Sequence, residues 1–459
     1  MLVLTAVSGL VGCGGGETAP STPAKVIRLI PTSSTVKVLG EVQLTATDTK
    51  GQPIEATFEV VETGAGSVDA TGRFMASATP GTFHVRARTT GGATAESTVT
   101  VEGFGASLHR QGDLLYPRVS HTASLLSDGS VLVVGGIDSS VAERFIPGSL
   151  SFESAGDTGQ RRWSHTATIL PGGGILIVGG LGFDTTQNAV KTLDAAALYQ
   201  SGAFTKLNAR MASQRYDHRA AALSDGRVLI VGGLPLSGSD ISALTTCEVF
   251  DPVQKQFSPT GTLSVPRAGH TATPLMDGRV LVVGGRDSTC LFQCSPTAWR
   301  SAEIYDPATG TFTPAGAMAQ ARFDHTATLL PNGKVIIAGG TTPDLPNADI
   351  SSLVEVYDPS TNQFQTVGTM LRPRSNHTAT LLGDGRVLLA GGMTYGHGEN
   401  TIATATVEAF DPVTGQSQLA VSGVTTRYHH AAVRLSSGEV LLVGGTEGGG
   451  SIRLVERFD

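Results

Sequence analysis

Seven Arg-x-x-His spacings punctuate this 459-residue chain, at Arg118/His121, Arg162/His165, Arg215/His218, Arg267/His270, Arg322/His325, Arg374/His377 and Arg427/His430. Both residue types can do chemistry. Imidazoles ligate metals, but a metal centre takes only about three to six ligands, so seven widely separated copies cannot serve one ion. Identical use in every copy points instead to a structural hydrogen bond at the start of a strand, and no metal is expected. Guanidinium forks donate to carboxylate or phosphate oxygens, so the seven arginines are candidate binding residues. They could equally bond backbone carbonyls or the glutamates that recur with them, Glu143, Glu248, Glu303, Glu355, Glu408 and Glu456; the second copy has Ala197 there instead. Trp299, Tyr395 and His397, with Phe183, Asp184 and Phe292, fall in segments of variable length. Exposed aromatics there could stack on sugar rings or pack their own loops. No paired carboxylates, nucleophile elbow or phosphate-binding glycine loop stands out, so no catalytic residue and no cofactor are expected.

The elements that position these residues are short. From Ala302 to Gly340 the chain has four apolar runs, closed by Asp306-Pro307, Pro314 with Gly316, Pro331-Asn332-Gly333 and Gly339-Gly340. Runs this short, rich in β-branched residues and bounded by turn formers, predict a four-stranded antiparallel meander; no helical period fits between such turns. The pattern recurs. Each Arg-x-x-His is followed by a Gly-Gly pair, ending at Gly136, Gly180, Gly233, Gly285, Gly340, Gly392 and Gly445, and successive histidines lie 44, 53, 52, 55, 52 and 53 residues apart. Repeats of about 50 residues built from four strands predict the blades of a propeller. The chain stops after Val455-Glu456-Arg457-Phe458-Asp459, three strands into a blade, while residues 106–112 align with a lone outer strand. These two segments are expected to pair and close a seven-bladed ring. The segments leading into Arg-x-x-His and the loops after Gly-Gly then share one face, with the arginines near the mouth of the channel. The post-Gly-Gly loops vary most, and such loops on a rigid scaffold are where function concentrates.

The repeat resembles the kelch-repeat β-propellers of the galactose-oxidase-like superfamily, from about residue 104 to the end. In the copper-radical oxidases of that superfamily, Tyr precedes the motif His position in two blades and a cross-linked Cys completes the cofactor. Here the preceding residues are Ser120, Ser164, Asp217, Gly269, Asp324, Asn376 and His429, and Tyr428 falls one place too early. The resemblance therefore implies the fold without that oxidase chemistry.

The rest of the chain is read from composition and two further resemblances. Glycine is frequent at 58 residues, while aromatics make up 5% and charged residues 15%, which suits many short strands. A net charge of −7 without a basic run gives no basis for nucleic-acid binding. Residues 1–13 end an apolar stretch in Leu10-Val11-Gly12-Cys13, which resembles a bacterial lipobox. That implies lipidation at Cys13 and an exported protein anchored at the cell envelope, with Gly14 favouring the outer membrane. Residues 14–25 form a polar tether. Residues 26–103 alternate as short strands and resemble a bacterial Ig-like β-sandwich, with Phe58 near the place of the usual Trp. In an exported protein, Cys290 and Cys294, flanking Leu-Phe-Gln, are expected to form a small disulfide loop. Cys247 reads as a small buried apolar residue. The expectation is an all-β, monomeric lipoprotein with an Ig-like sandwich (26–103) and a seven-bladed kelch propeller (104–459). Its propeller is expected to bind a protein or glycan through the variable-loop face; a carbohydrate-active enzyme using another site is the alternative. Convergent acidic or histidine side chains in the mouth would favour the enzyme, and aromatics without them would favour binding.

Overall fold

The computed structural model describes residues 26–37, 41–63, 65–76, 81–102, 108–137, 139–236, 241–289, 296–343, 349–395, 401–422 and 425–459. Every regular element among them is a β-strand. Residues 26–102 hold a four-stranded sheet, Ser33–Lys37, Thr94–Glu102, Gly81–Arg88 and Thr57–Val60, whose first pair is parallel. A three-stranded sheet, Glu41–Gln43, Arg73–Ala76 and Gly66–Val68, and a pair, Ile27–Ile30 with Thr45–Asp48, complete it. Leu29, Leu44, Phe74, Val85 and Val99 form its core.

From Leu108 onward, seven four-stranded antiparallel sheets follow one another as blades. Blade 1 is typical: Thr122–Leu125 innermost, then Val131–Val134, Val141–Ile146 and Ser151–Asp157. Blade 7 takes three strands from the C-terminus, Ala431–Arg434, Val440–Val443 and Ile452–Phe458. Its outer strand is Leu108–Arg118, paired so that Leu108 faces Phe458 and Gly112 faces Val455. The innermost strands of consecutive blades are neighbours, and Ala431–Arg434 lies beside Thr122–Leu125, so the ring is closed.

The second strands explain the continuous apolar runs in the sequence. Side chains alternate across a strand, and a sheet with both faces covered buries both sets. In blade 2, Ile175 and Ile177 pack with Leu132 and Val134 of blade 1, while Leu176 and Val178 pack with Val228 and Ile230 of blade 3. The same interleaving recurs at every junction, including Val131 and Val133 against Leu441 and Val443 where the ring closes. Outer strands are pinned by tilted aromatic pairs, such as Tyr305–Phe312 and Tyr357–Phe364, with centroids 4.9 Å apart.

The Gly-Gly pairs are dictated by what packs on them. A Cβ on Gly284 would lie 2.6 Å from the Arg322 carbonyl oxygen and 2.8 Å from the His325 ring of the next blade, at a φ of +64°. The glycine therefore serves both conformation and close approach. Gly284→Ala is expected to lower stability by about 2–4 kcal/mol, since strain and overpacking add. Gly129→Ala, at a turn with φ of +82° and nothing within 4 Å, should cost only about 1 kcal/mol. Urea unfolding of the two variants checks the difference.

Candidate functional site

Each motif arginine runs inward. Nη1 donates to the carbonyl of the first glycine of its own blade's Gly-Gly pair in all seven blades, for example Arg215 to Gly232 at 2.7 Å and Arg322 to Gly339 at 2.9 Å. In six blades the other arm of the fork meets the recurring glutamate, as Arg118 meets Glu143 at 2.7 Å and Arg322 meets Glu355 at 2.8 Å. The same carboxylates accept backbone N–H groups two or three residues before the arginine: Leu115 and Tyr116 on Glu143, Ala212 and Ser213 on Glu248, Leu371 and Arg372 on Glu408. Burial lowers the guanidinium pKa of Arg118, Arg215, Arg267, Arg322, Arg374 and Arg427, and in each blade the glutamate opposes that shift.

The expectation that Arg118, Arg162, Arg215, Arg267, Arg322, Arg374 and Arg427 meet a ligand at the channel mouth is corrected. All seven are among the largest fully buried side chains. The carbonyls and glutamates named as their other possible partners hold them instead. Breaking one such buried pair typically costs about 3–5 kcal/mol, because a charge is left without compensation.

The histidines stitch blade to blade. Nε2 of His165, His218, His325, His377 and His430 hydrogen-bonds a threonine hydroxyl on the preceding blade's inner strand, as His165 does with Thr122 and His218 with Thr166, each at 3.0 Å. His270 and His121 lack this bond because the corresponding residues are Arg219 and Ala431. Burial holds these imidazoles neutral, to about 3 for His121 and His377 and well below the ordinary value for the others.

The chemistry lies one residue earlier. Ser120, Ser164, Asp217, Asp324, Asn376 and His429 all have φ between 50° and 55°, and Gly269 has 62°. In this conformation their backbones form a closed ring. Ser164 N–H donates to Ser120 C=O, Asp217 to Ser164, Gly269 to Asp217, Asp324 to Gly269, Asn376 to Asp324, His429 to Asn376 and Ser120 to His429, over 2.8–3.4 Å. The side chains of Ser120, Ser164, Asp217, Asp324, Asn376 and His429 line a channel-mouth cavity of about 800 Å³ together with Trp163, Tyr428, Arg219 and Arg286. Arg286, immediately after Gly285, spans the gap above Gly269 and bonds Asp217 and Asp324, each at 3.1 Å, with its guanidinium 4.8 Å from the Phe323 ring. Burial works against its charge, but Asp324 and Asp217 outweigh that and leave its pKa raised. The result is a polar floor with fixed charges and an aromatic wall. It can hydrogen-bond and stack a polyhydroxylated ring.

Sequence reasoning had these floor residues only as the positions tested for tyrosine, and it missed Trp163, Phe323 and Arg286. The usable signal is a position fixed in geometry but different in every repeat. The loop candidates fare differently. Trp299 is partly buried and donates its indole N–H to Pro266 C=O at 2.7 Å, so it anchors its own loop. Tyr395 lies on the ribbon strand Met393–Tyr395. His397, Cys290, Cys294, Phe292, Cys13, the leader and the tether lie outside the described residues. Cys247 is buried, and burial pushes its thiol up to about 12.

Comparison with known proteins agrees with the repeat. A kelch motif model matches residues 266–319 and 324–371. Beta-scruin of Limulus polyphemus is 25% identical over 235 residues, 50% of this chain and 25% of the relative. Kelch-like protein 25 of Xenopus tropicalis is 27% identical over 255 residues, 55% of this chain and 40% of the relative. The chain thus spans well under half the length of these curated relatives. The solved structure of YjhT is similar over 67% of this chain and 99% of its own, with a TM-score of 0.52 and 13% identity. A fungal alcohol oxidase of the AA5 family, in complex with copper, is similar over 77% of this chain and 75% of its own, with a TM-score of 0.58 and 17% identity. These likenesses establish a kelch-type all-β propeller fold. The mouth does not make a copper donor set: Asp217 and Asp324 are both engaged by Arg286, and no tyrosine occupies the floor ring. No cluster of three or more His, Cys, Asp or Glu able to hold a metal occurs among the described residues.

The neutral, buried histidines make stability depend on pH. In the unfolded chain a histidine titrates near pH 6.5, whereas here protonation waits until about 3 at His121 and His377. The contribution of these histidines to stability is therefore present above about pH 6.5 and is lost progressively below it, as the unfolded chain takes up protons that the folded chain does not. The melting temperature is expected to drop steeply from pH 7 to pH 5, with unfolding taking up several protons in calorimetry. A flat profile across that window would contradict the assignment.

Proposed function

We propose that this protein is a binding module whose propeller takes a glycan-type ligand in the channel mouth, on the variable-loop face. The observation that carries the reading is the Asp217–Arg286–Asp324 bridge, set in a floor of Ser120, Ser164, Asn376 and His429 beside Trp163 and Tyr428. Sugar hydroxyls need fixed donors and acceptors, and sugar faces need an aromatic surface; both converge here. Kelch repeats commonly mediate binding, which supports the class of function. The proposal extends to context: an exported, monomeric protein anchored through Cys13, with the N-terminal strands as an Ig-like spacer. A protein partner on the same face is the other form of this reading.

A carbohydrate-active enzyme is the second reading, and the convergence of Asp217, Asp324 and His429 in the mouth favours it. Against it, Arg286 bridges both carboxylates at once in ion pairs of 3.1 Å. A glycan array followed by calorimetry on the full chain separates the two. Binding without turnover is expected, with Trp163→Ala and Arg286→Ala each weakening affinity at least about tenfold. Conversion of the bound glycan, abolished by Asp324→Asn with binding retained, would overturn the binding reading in favour of the enzyme.

A further inference from the structure

Blade 2 departs from the other six at one atom group. Ala197 stands where they place the glutamate, and the residue opposite it on the outer strand is Lys206. Arg162 is nonetheless as deep as its counterparts, at 2% exposed. Its side-chain partners among the described residues are only the Gly179 and Ala195 carbonyls, at 3.3 and 3.4 Å; Nε is unpartnered, as it is at Arg322 and Arg374, but those two arginines meet a glutamate and Arg162 does not. Burial without an opposing carboxylate lowers its pKa to about 10. A buried cation without a counter-charge is costly.

A cleft borders that position, although Arg162 and Ala197 are themselves buried and do not line it. In the other blades the carboxylate sits between the arginine fork and the amides two or three residues before it; in blade 2 those residues are Gly159 and Gln160. Both line a cleft of about 880 Å³, together with Ala195, Lys206 and Arg161. Asp157 also lines it and spends one carboxylate oxygen on the Gly159 N–H at 2.7 Å. The other rim charges are matched, Asp184 with Lys191 and Asp194 with Arg210. Arg161 and Lys206 have no ion-pair partner among the described residues.

We infer that blade 2 carries an oxyanion site, in which the carboxylate of a small soluble ligand takes the place of the missing glutamate, bonded by Arg162 and flanked by Lys206. The rest of such a ligand would lie in the cleft beneath the ribbon formed by Leu181–Asp184 and Ala189–Thr192. This site is separate from the channel mouth, and nothing in its geometry depends on what the mouth binds.

Thermal unfolding of the full chain in sodium acetate, with sodium chloride at matched ionic strength as reference, tests the site. Acetate is expected to raise the wild-type midpoint by about 2–4 °C beyond chloride, increasing with concentration. Ala197→Glu supplies the carboxylate from the chain itself, so its midpoint should be raised in chloride and should not respond to acetate. If that variant does not fold, Lys206→Gln, an exposed change, should weaken the apparent acetate affinity about tenfold. A similar response to inorganic phosphate would support a general oxyanion site. No acetate response beyond chloride, or an equal response in wild type and the variants that fold, would overturn the proposal.

Discussion

The hydrogen bonds that tie each blade to the backbone of the next blade's Arg-x-x-His segment are the constraint on which the remaining structure depends. The second glycine of every Gly-Gly pair donates its N–H to the carbonyl of the next blade's motif arginine, from Gly136 to Arg162 around to Gly445 to Arg118, over 2.7–2.9 Å. One level up, the residue before each histidine joins the closed backbone ring. Apolar packing between blades is non-directional and could tolerate slippage. These bonds are directional and repeat at each junction, so they fix blade spacing and angle. The outer strand Leu108–Arg118 makes the same scheme cover the first and last blades.

That scheme explains why a sequence with few charged residues spends so many of them inside. An arginine whose carbonyl must face the preceding blade has its side chain directed into its own blade, where it reaches the Gly-Gly turn and the third strand. Burying a guanidinium requires a partner, and the glutamate supplies it while also ordering the segment that leads into the motif. Structure and function are thereby separated along three residues. Arg and His are fixed by packing, while the residue before His is placed by its backbone and presents its side chain to the channel. Asp, Asn, Ser, Gly and His can all occupy it, which lets the mouth vary without disturbing the ring.

Much of this was legible beforehand. The Gly-Gly pairs, the tight turns and the recurrence of Arg-x-x-His carry the blade pattern because each answers a local steric or hydrogen-bonding demand. The sequence placed the closing strand at residues 106–112, through a partner strand that repeats elsewhere in the chain; the described strand that pairs with Ile452–Phe458 is Leu108–Arg118. The candidate site was not. Asp217, Arg286 and Asp324 come from different repeats, and only the ring brings them to one mouth. Reading for what the repeats share sets such positions aside. Reading loops for aromatics led instead to Trp299, whose indole is committed to Pro266. Whether the arginines were ligand contacts or internal ties could not be decided from residue type, since a guanidinium fork suits both; burial decides it.

Native-state hydrogen exchange, read by mass spectrometry on peptides spanning Ser120, Ser164, Asp217, Gly269, Asp324, Asn376 and His429 and the second glycine of each pair, tests the ring most directly. These amides border the channel mouth or a loop, where backbone groups ordinarily exchange fast. If the blade-to-blade bonds hold the propeller together, all of them should exchange only through global unfolding, with one common free energy around the ring. Exchange at loop rates, or protection confined to a few junctions, would show that packing alone sets the blades and that the ring is incidental.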